Sequence, residues 1–146
     1  MVRKSLLVAY PASQMFDLVD QCEYYPRFLP WCSRVDLQHR DAKYTRATLH
    51  VNYRGVKTQF STENLKKYPS LMQLSLIEGP FKRLEGEWRF IALNEEACKV
   101  ELEMDYEFSG KLLGKVLGPV FNHISNSFVG AFTLRANQIY GGDAGA

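Results

Sequence analysis

The apolar residues of this chain alternate with polar ones through most of its middle, at the period of two that is typical of strands with one buried face. The alternation is clearest in Cys98–Phe108, where apolar side chains face one way and five charged side chains face the other. Proline and glycine residues separate the alternating runs, as expected for turns. The predicted strands are Arg3–Tyr10, a segment that begins at Ser33, Thr45–Tyr53, Val56–Leu65, Leu71–Ile77, Lys82–Leu93 and Cys98–Phe108.

Three other segments have helical features instead. Pro11 precedes a run with apolar residues at helical spacing, which predicts a helix over Ala12–Asp20. A second short helix or turn is predicted at 23–29, because Pro26 interrupts it and Pro30 ends it. A long helix is predicted over Gly110–Tyr140. Its apolar stripe comprises Leu113, Leu117, Val120, Phe121, Ile124, Phe128 and Ala131.

This order of elements predicts an α+β fold with a helix-grip architecture. A curved antiparallel sheet of about seven strands wraps round the long C-terminal helix, and two short helices follow the first strand. Residues 1–140 are expected to form a single domain and 141–146 a disordered tail. A strongly curved sheet seldom closes fully round one helix, so we expect a ligand cavity between them.

Composition narrows the classes of protein that fit. The 146 residues are 46% hydrophobic, with nine Phe, eight Tyr and two Trp, and the formal net charge is only +2. These values exclude a disordered chain and the strongly basic groove that dominates DNA affinity, so no DNA partner is expected. Three cysteines are an odd number without a disulfide framework, which favours a reducing compartment. No signal peptide is visible, and a cytoplasmic location is predicted, with peripheral contact at the inner membrane as an alternative.

The common signatures of catalysis and metal binding are missing from the sequence. The chain has no G-x-G-x-x-G, P-loop, H-E-x-x-H, G-x-S-x-G or C-x-x-C motif, and its three histidines are scattered. The acidic residues of Cys98–Phe108 fall on the face opposite the apolar ones, where cross-strand arginines would pair with them. We therefore predict no enzyme activity, no metal and no catalytic cofactor.

Four features are harder to explain as ordinary core. The segment 23–32 holds four aromatic residues and two prolines, and forms either a plug over the core or the lip of a cavity. Gly86, between Leu84 and Trp88, leaves room for a close neighbour, either the long helix or a ligand. Glycines 110, 114 and 118 weaken the start of the long helix, for close packing or for opening. Arg135 lies in the apolar stripe, where an ion pair or a ligand headgroup would have to satisfy its charge.

Small clusters of basic residues are distributed along the chain. They are more typical of a solubilising surface than of a binding site, but together they would form a modest footprint on RNA or on an anionic membrane. The clusters are Lys66-Lys67, Lys82-Arg83 and Lys111 with Lys115.

Three segments carry a resemblance to a known family. They are the run from Tyr25 to Cys32, the run from Gly79 to Leu84 continuing to Trp88 and Phe90, and 131–136 in the last helix. On these the sequence resembles the coenzyme-Q-binding START-domain family, which is polyketide cyclase/dehydrase-like and includes the bacterial ribosome association toxins. The order of elements matches to about Tyr140, and the family's START or Bet v 1-like fold agrees with the helix-grip prediction.

The resemblance implies that the cavity binds ubiquinone or a related isoprenoid lipid and supports quinone delivery in respiratory electron transport. Ubiquinone would be a bound ligand rather than a catalytic cofactor. The alternative that it implies is a toxin that binds the large ribosomal subunit and blocks subunit association. The expected ligand-binding residues are Leu117, Phe121, Ile124 and Phe128 on one wall, Trp88 and Phe90 on the other, Phe28, Trp31 and Phe81 at the rim, and Arg135 for a polar headgroup.

Overall fold

The computed structural model describes residues 2–141, and the predicted tail therefore falls almost entirely outside the described residues. Two helical segments follow the first strand, six strands then run consecutively, and a helix of 29 residues ends the fold. The elements are β1 (Val2–Val8), α1 (Ala12–Asp20), a 3-10 helix (Cys22–Arg27), β2 (Cys32–Arg40), β3 (Tyr44–Tyr53), β4 (Val56–Lys67), β5 (Leu71–Glu78), β6 (Phe81–Ala92), β7 (Cys98–Phe108) and α2 (Lys111–Ile139).

The seven strands form one antiparallel sheet in the order β1-β7-β6-β5-β4-β3-β2. Helix α2 lies against the inner face of the sheet, mainly on β7 and β1, and α1 packs between α2 and strands β6 and β7. The helix-grip prediction is confirmed. Helix α2 thus favours one side of the sheet, and β4 is its main contact among the remaining strands.

Several predicted element ends shift by one or two residues, and two differences from the prediction have a clear structural reason. Strand β1 ends at Val8 rather than Tyr10, because Val8 pairs with Cys98, the first residue of β7, and no ladder partner exists beyond it. The apolar stripe of α2 begins at Leu117 rather than Leu113, since Leu113 is 38% exposed. The first turns of the helix lie outside the cover of the sheet.

The acidic face of β7 is paired as the sequence predicts. Arg3 Nε on β1 lies 3.3 Å from a Glu103 carboxylate oxygen on β7. An Arg83 guanidinium nitrogen on β6 lies 3.3 Å from an Asp105 carboxylate oxygen on β7. These side chains are on the outer surface of the sheet. The carboxylates of β7 thus lie on a solvated face, where basic side chains pair with them.

The close neighbour of Gly86 is strand β7. A Cβ atom at Gly86 would lie 2.5 Å from the Glu103 carbonyl oxygen and 2.9 Å from Met104 Cγ. Neither α2 nor a ligand space occupies that position, which corrects the two alternatives drawn from the sequence. The Met104 side chain instead folds across Gly86 and reaches the interior of the sheet.

Candidate functional site

A small enclosed cavity lies between the inner face of the sheet and helix α2. Its volume is about 50 Å³, which is enough for a few water molecules. Strands β3 to β7, α1, the 3-10 helix and α2 all contribute to its wall. The lining residues are Val19, Cys22, Tyr25, Ala47, Leu49, Phe60, Thr62, Asn64, Leu74, Leu84, Trp88, Met104, Phe121, Ile124 and Phe128.

Aromatic clusters flank the cavity on two sides. Phe81 stacks on Phe108 with ring centroids 5.1 Å apart and meets Phe121 edge to face at 4.9 Å. In the second cluster, Phe132 contacts Tyr25 at 5.2 Å and Trp88 at 5.4 Å. Edge-to-face contacts of this kind add to area burial and hold the rings in defined orientations. The aromatic side chains of the wall are therefore held in defined orientations by their contacts with one another.

Besides the indole N–H of Trp88, four of the lining residues carry polar groups, and two of these four are chemically unreactive near neutral pH. The Tyr25 hydroxyl donates a hydrogen bond to the Val19 carbonyl, and burial raises the pKa of Tyr25 well above its usual value. Burial also raises the pKa of the Cys22 thiol from 9.0 to about 11. The thiol thus stays protonated near neutral pH, and a thiol is a poor nucleophile compared with a thiolate.

The other two polar residues, Thr62 and Asn64, lie on the inner face of β4. Asn64 Nδ2 faces the sulfur of Met72 at 3.8 Å, and Asn64 Oδ1 is buried without a hydrogen-bond partner. Neither residue was among those predicted from the sequence to bind a ligand. The signal that locates them is the β3–β4 register, which pairs Phe60 with Leu49 and Thr62 with Ala47 and so places the even positions of β4 inward.

The cavity wall offers no group suited to acid–base chemistry near neutral pH. None of its fifteen lining residues is Asp, Glu, His, Lys or Arg. A general acid or base works best with a pKa close to the operating pH, and the two titratable groups present, Cys22 and Tyr25, have raised pKa values. The arrangement is chemically suited to holding an apolar molecule.

An ion-pair cluster fastens α1 and the 3-10 helix to the sheet beside the cavity. Asp20 accepts a hydrogen bond from Thr45 at 2.7 Å, and Lys66 Nζ lies 3.1 Å from its other carboxylate oxygen. Arg40 pairs with Glu23 at 2.6 Å and lies 3.5 Å from Asp20. The Lys66 side chain is only 6% exposed. The prediction that Lys66 and Lys67 together form a basic cluster on the surface is therefore wrong for Lys66.

The structure brings together four of the ten predicted ligand-binding residues. Trp88, Phe121, Ile124 and Phe128 line the cavity. Trp31 and Phe81 are 1% and 5% exposed, so they lie in the core and not at a rim. Phe90 and Leu117 are also buried, with Phe90 between Trp88 and Phe16. Ligand contact by any of these residues stays a prediction.

Phe28 and Arg135, the remaining two, line a groove on the surface. The Arg135 guanidinium lies over the Phe28 ring at 5.3 Å, and one of its nitrogens donates to Gln138 at 3.4 Å. Within residues 2–141 Arg135 forms no ion pair, which corrects the structural pairing considered from the sequence. A cation–π contact takes its place.

Two further properties of residues 2–141 bear on the site. No three His, Cys, Asp or Glu side chains among them lie close enough to hold a metal ion together. In the same part of the chain, no helix has the length and apolar character needed to cross a membrane.

Comparison with known proteins places this fold in a family. The family model described as polyketide cyclase/dehydrase and lipid transport matches residues 8–133. The chain belongs to that family. The matched residues run from the end of β1 through β7 and include most of α2.

Relatives within the polyketide cyclase/dehydrase and lipid transport family carry two different names. The chain is 41% identical over 140 residues to the ribosome association toxin RatA of Vibrio cholerae, covering 96% of this chain and 97% of that one. It is 27% identical over 139 residues to the mitochondrial coenzyme Q-binding protein coq10 of Schizosaccharomyces pombe, covering 92% and 85%. Neither name denotes an enzyme.

A solved structure with an enzyme's name shares the fold. The aromatase/cyclase Zhui from Streptomyces sp. R1128 superposes with a TM-score of 0.81 over 94% of this chain and 93% of that one, at 19% identity. At that level of identity the similarity establishes the architecture alone. Because a shared fold does not determine function, the function of this chain has to be inferred from the residues of the cavity wall.

Proposed function

We propose that this protein binds ubiquinone or a related hydrophobic lipid in the cavity between the sheet and α2, without catalysing a reaction on it. The observation that carries the proposal is the cavity wall, where eleven of fifteen residues are apolar and none is a carboxylate, imidazole or amine. Ligand pockets in proteins are typically apolar with a few placed polar groups. The protein would then support quinone delivery in respiratory electron transport.

Three observations support a quinone or isoprenoid ligand in particular. The family description includes lipid transport, and one relative is named as a coenzyme Q-binding protein. Transfer of apolar surface from water contributes roughly 25 cal/mol per Å², so burial of a few hundred Å² is sufficient for useful affinity. The protonated Cys22 thiol would also coexist with an electrophilic quinone ring.

The test is to purify the protein from a host that makes ubiquinone, extract it with organic solvent, and titrate the stripped protein with a short-tailed ubiquinone. We expect co-purified lipid and saturable binding. Ala47, which lines the cavity, allows a blocking variant, since Ala47→Leu adds side-chain volume inside it and should weaken binding. Ala92→Leu makes the same change at an exposed position of β6 and is the matched control.

Two results would contradict lipid binding. One is stripped protein that shows neither extracted lipid nor saturable titration. The other is an Ala47→Leu variant that remains folded and binds the quinone as tightly as the Ala92→Leu control, because the ligand would then lie outside this cavity.

A second candidate function is association with the ribosome. The full-length similarity to proteins named ribosome association toxin RatA favours it. The β3–β4 turn, the β5–β6 turn and the start of α2 meet at one end of the antiparallel sheet. Cations that form no ion pair with residues 2–141 gather there, and they suit a phosphate backbone. They are Arg54, Lys57, Lys82, Lys111 and Lys115.

Sedimentation through a sucrose gradient with large ribosomal subunits at physiological salt tests this candidate. Co-sedimentation that is lost in a Lys111→Glu/Lys115→Glu variant would support it. Lys67→Glu, an exposed cation toward the opposite end of β4, is the matched control. Failure of the unchanged protein to co-sediment would contradict ribosome association and would leave the lipid proposal to its own test.

A further inference from the structure

The inner face of strand β4 changes from apolar to charged along the cavity. Alternate residues of a strand share one face at a rise of about 3.3 Å per residue, so Phe60, Thr62, Asn64 and Lys66 form one inward row. Phe60 meets Phe121 at 5.6 Å in the aromatic cluster, and Lys66 pairs with Asp20. Thr62 and Asn64 lie between these ends and reach the cavity.

The amide of Asn64 is only half satisfied. Its Nδ2 faces Met72 Sδ at 3.8 Å, and Met72 is fully buried. A thioether sulfur accepts hydrogen bonds weakly and donates none, so the contact turns the amide nitrogen, and not the oxygen, toward Met72. Asn64 Oδ1 is buried and accepts no hydrogen bond from residues 2–141.

This unpartnered oxygen is unusual for its position. Three buried side-chain atoms among residues 2–141 have no hydrogen-bond partner: Trp31 Nε1, Arg135 Nε and Asn64 Oδ1. Of these, Asn64 Oδ1 alone belongs to a residue of the cavity wall. A buried acceptor without a donor costs free energy, and a ligand that supplies the donor recovers that cost.

We propose that Asn64 makes the cavity selective for a ligand with a hydroxyl group at its polar end, so that a hydroquinone binds in preference to the corresponding quinone. The inference rests on the proposed lipid-binding function and specifies the headgroup. A hydroquinone hydroxyl donates to Asn64 Oδ1. A quinone carbonyl only accepts, so it would leave that oxygen unpaired and place a second acceptor near it.

The neighbouring Thr62 does not oppose this preference. A threonine hydroxyl both donates and accepts, so it can bond to either redox form of the ligand. Thr62 is 4% exposed and lies two residues from Asn64 on the same face. Of the two polar side chains that β4 contributes to the wall, Asn64 is therefore the one that discriminates between donor and acceptor headgroups.

The experiment measures the affinity of the whole protein for one compound in two redox states. The probe is a dimethoxybenzoquinone with a ten-carbon tail, oxidised or kept reduced under anaerobic conditions, and the method is equilibrium dialysis. The unchanged protein should bind the reduced form roughly tenfold more tightly or better, as expected for one satisfied buried acceptor. In Asn64→Leu the ratio of the two affinities, reduced over oxidised, should fall. It should approach the ratio in which the two forms partition from water into an apolar solvent.

Gln73→Leu supplies the matched control, because it replaces an amide by leucine on the exposed face of the adjacent strand β5. Its ratio should equal that of the unchanged protein, and circular dichroism should show that both variants are folded. The inference is overturned if the unchanged protein prefers the quinone or shows no preference, or if a folded Asn64→Leu keeps the full ratio. If neither form binds the unchanged protein, the proposed lipid-binding function has failed instead.

Discussion

Gly86 is a residue at which strand β6 leaves no room for a side chain against its neighbour β7. The space that a Cβ atom would need is taken by the Glu103 carbonyl oxygen, which is backbone, and by the side chain of Met104. We predict that Gly86→Val lowers the free energy of unfolding by about 1–3 kcal/mol, because overpacking forces backbone shifts. Chemical denaturation monitored by circular dichroism would measure the loss.

Gly118 is the matched glycine for that experiment. A Cβ atom at Gly118 would have no neighbour within 4 Å, and the residue lies inside helix α2. Gly118→Ala should raise the free energy of unfolding by up to about 1 kcal/mol through helix propensity. A Gly86→Val protein as stable as the unchanged one would show that β6 and β7 can separate at this point.

The buried cysteines predict a loss of stability at alkaline pH. Burial raises the pKa of Cys22 from 9.0 to about 11 and that of Cys32 to about 12. The unfolded chain releases these protons from about pH 9, so the stabilisation is complete below that value and falls as the pH rises towards 11. Each thiol contributes at most about 1.4 kcal/mol per pH unit to this slope.

Urea unfolding on both sides of pH 9 would measure the effect. A Cys22→Ala/Cys32→Ala variant should lose less stability between the two conditions than the unchanged protein, whatever its stability near neutral pH. Equal losses in the two proteins would show that other groups, such as lysines and tyrosines, account for the alkaline transition.

At the scale of elements, Lys66 is the contact that fixes α1 to strand β4. Its ammonium group lies 3.1 Å from Asp20, and both side chains are mostly buried. We predict that Lys66→Met lowers the free energy of unfolding by about 1.5–3 kcal/mol, the range for a hydrogen bond to a charged group. Thermal and urea denaturation would measure it.

A variant of the adjacent Lys67 distinguishes the loss of the Lys66–Asp20 contact from the loss of a positive charge alone. Lys67 is exposed and forms no ion pair with residues 2–141, so Lys67→Met should change stability by less than about 0.5 kcal/mol. Adding Asp20→Asn to Lys66→Met should recover part of the loss, because without Lys66 only Arg40, at 3.5 Å, balances the buried Asp20 charge. Equal effects of the two lysine variants would contradict the contact.

The elements were predictable from the sequence where periodicity was strong. Cys98–Phe108 and Ala12–Asp20 match the predicted ranges because each presents one clear apolar face. Strand β4 has no such face, since threonine and asparagine occupy its inner side. Its phase is set by pairing with β3, a long-range contact that a local pattern does not contain. Asn64 was therefore missed, although the aromatic wall was found in part.

At the scale of the whole molecule, the cavity is smaller than its proposed ligand. Ligand pockets usually enclose about 300–1,000 Å³, whereas this cavity encloses about 50 Å³. A quinone ring would therefore have to separate the walls. Helix α2 is held mainly by β7 and β1, so the opening should occur on the opposite side of the sheet, where β4 is its main contact. The contacts between α2 and the sheet that stabilise the fold would then be the ones that a ligand has to disrupt in order to bind.

That opposition can be measured by enlarging the cavity in advance. Ile124 is 2% exposed and lines the wall from α2, so Ile124→Ala should cost about 2–5 kcal/mol of folding free energy. The same variant should bind an apolar ligand more tightly than the unchanged protein, because less packing has to be disrupted for the ligand to enter. A short-tailed quinone should accordingly raise the melting temperature of Ile124→Ala by more degrees than that of the unchanged protein. Leu112→Ala, at a position that is 75% exposed on the same helix, should alter neither quantity. If Ile124→Ala is destabilised but gains no affinity, ligand entry does not depend on displacing α2 from the sheet.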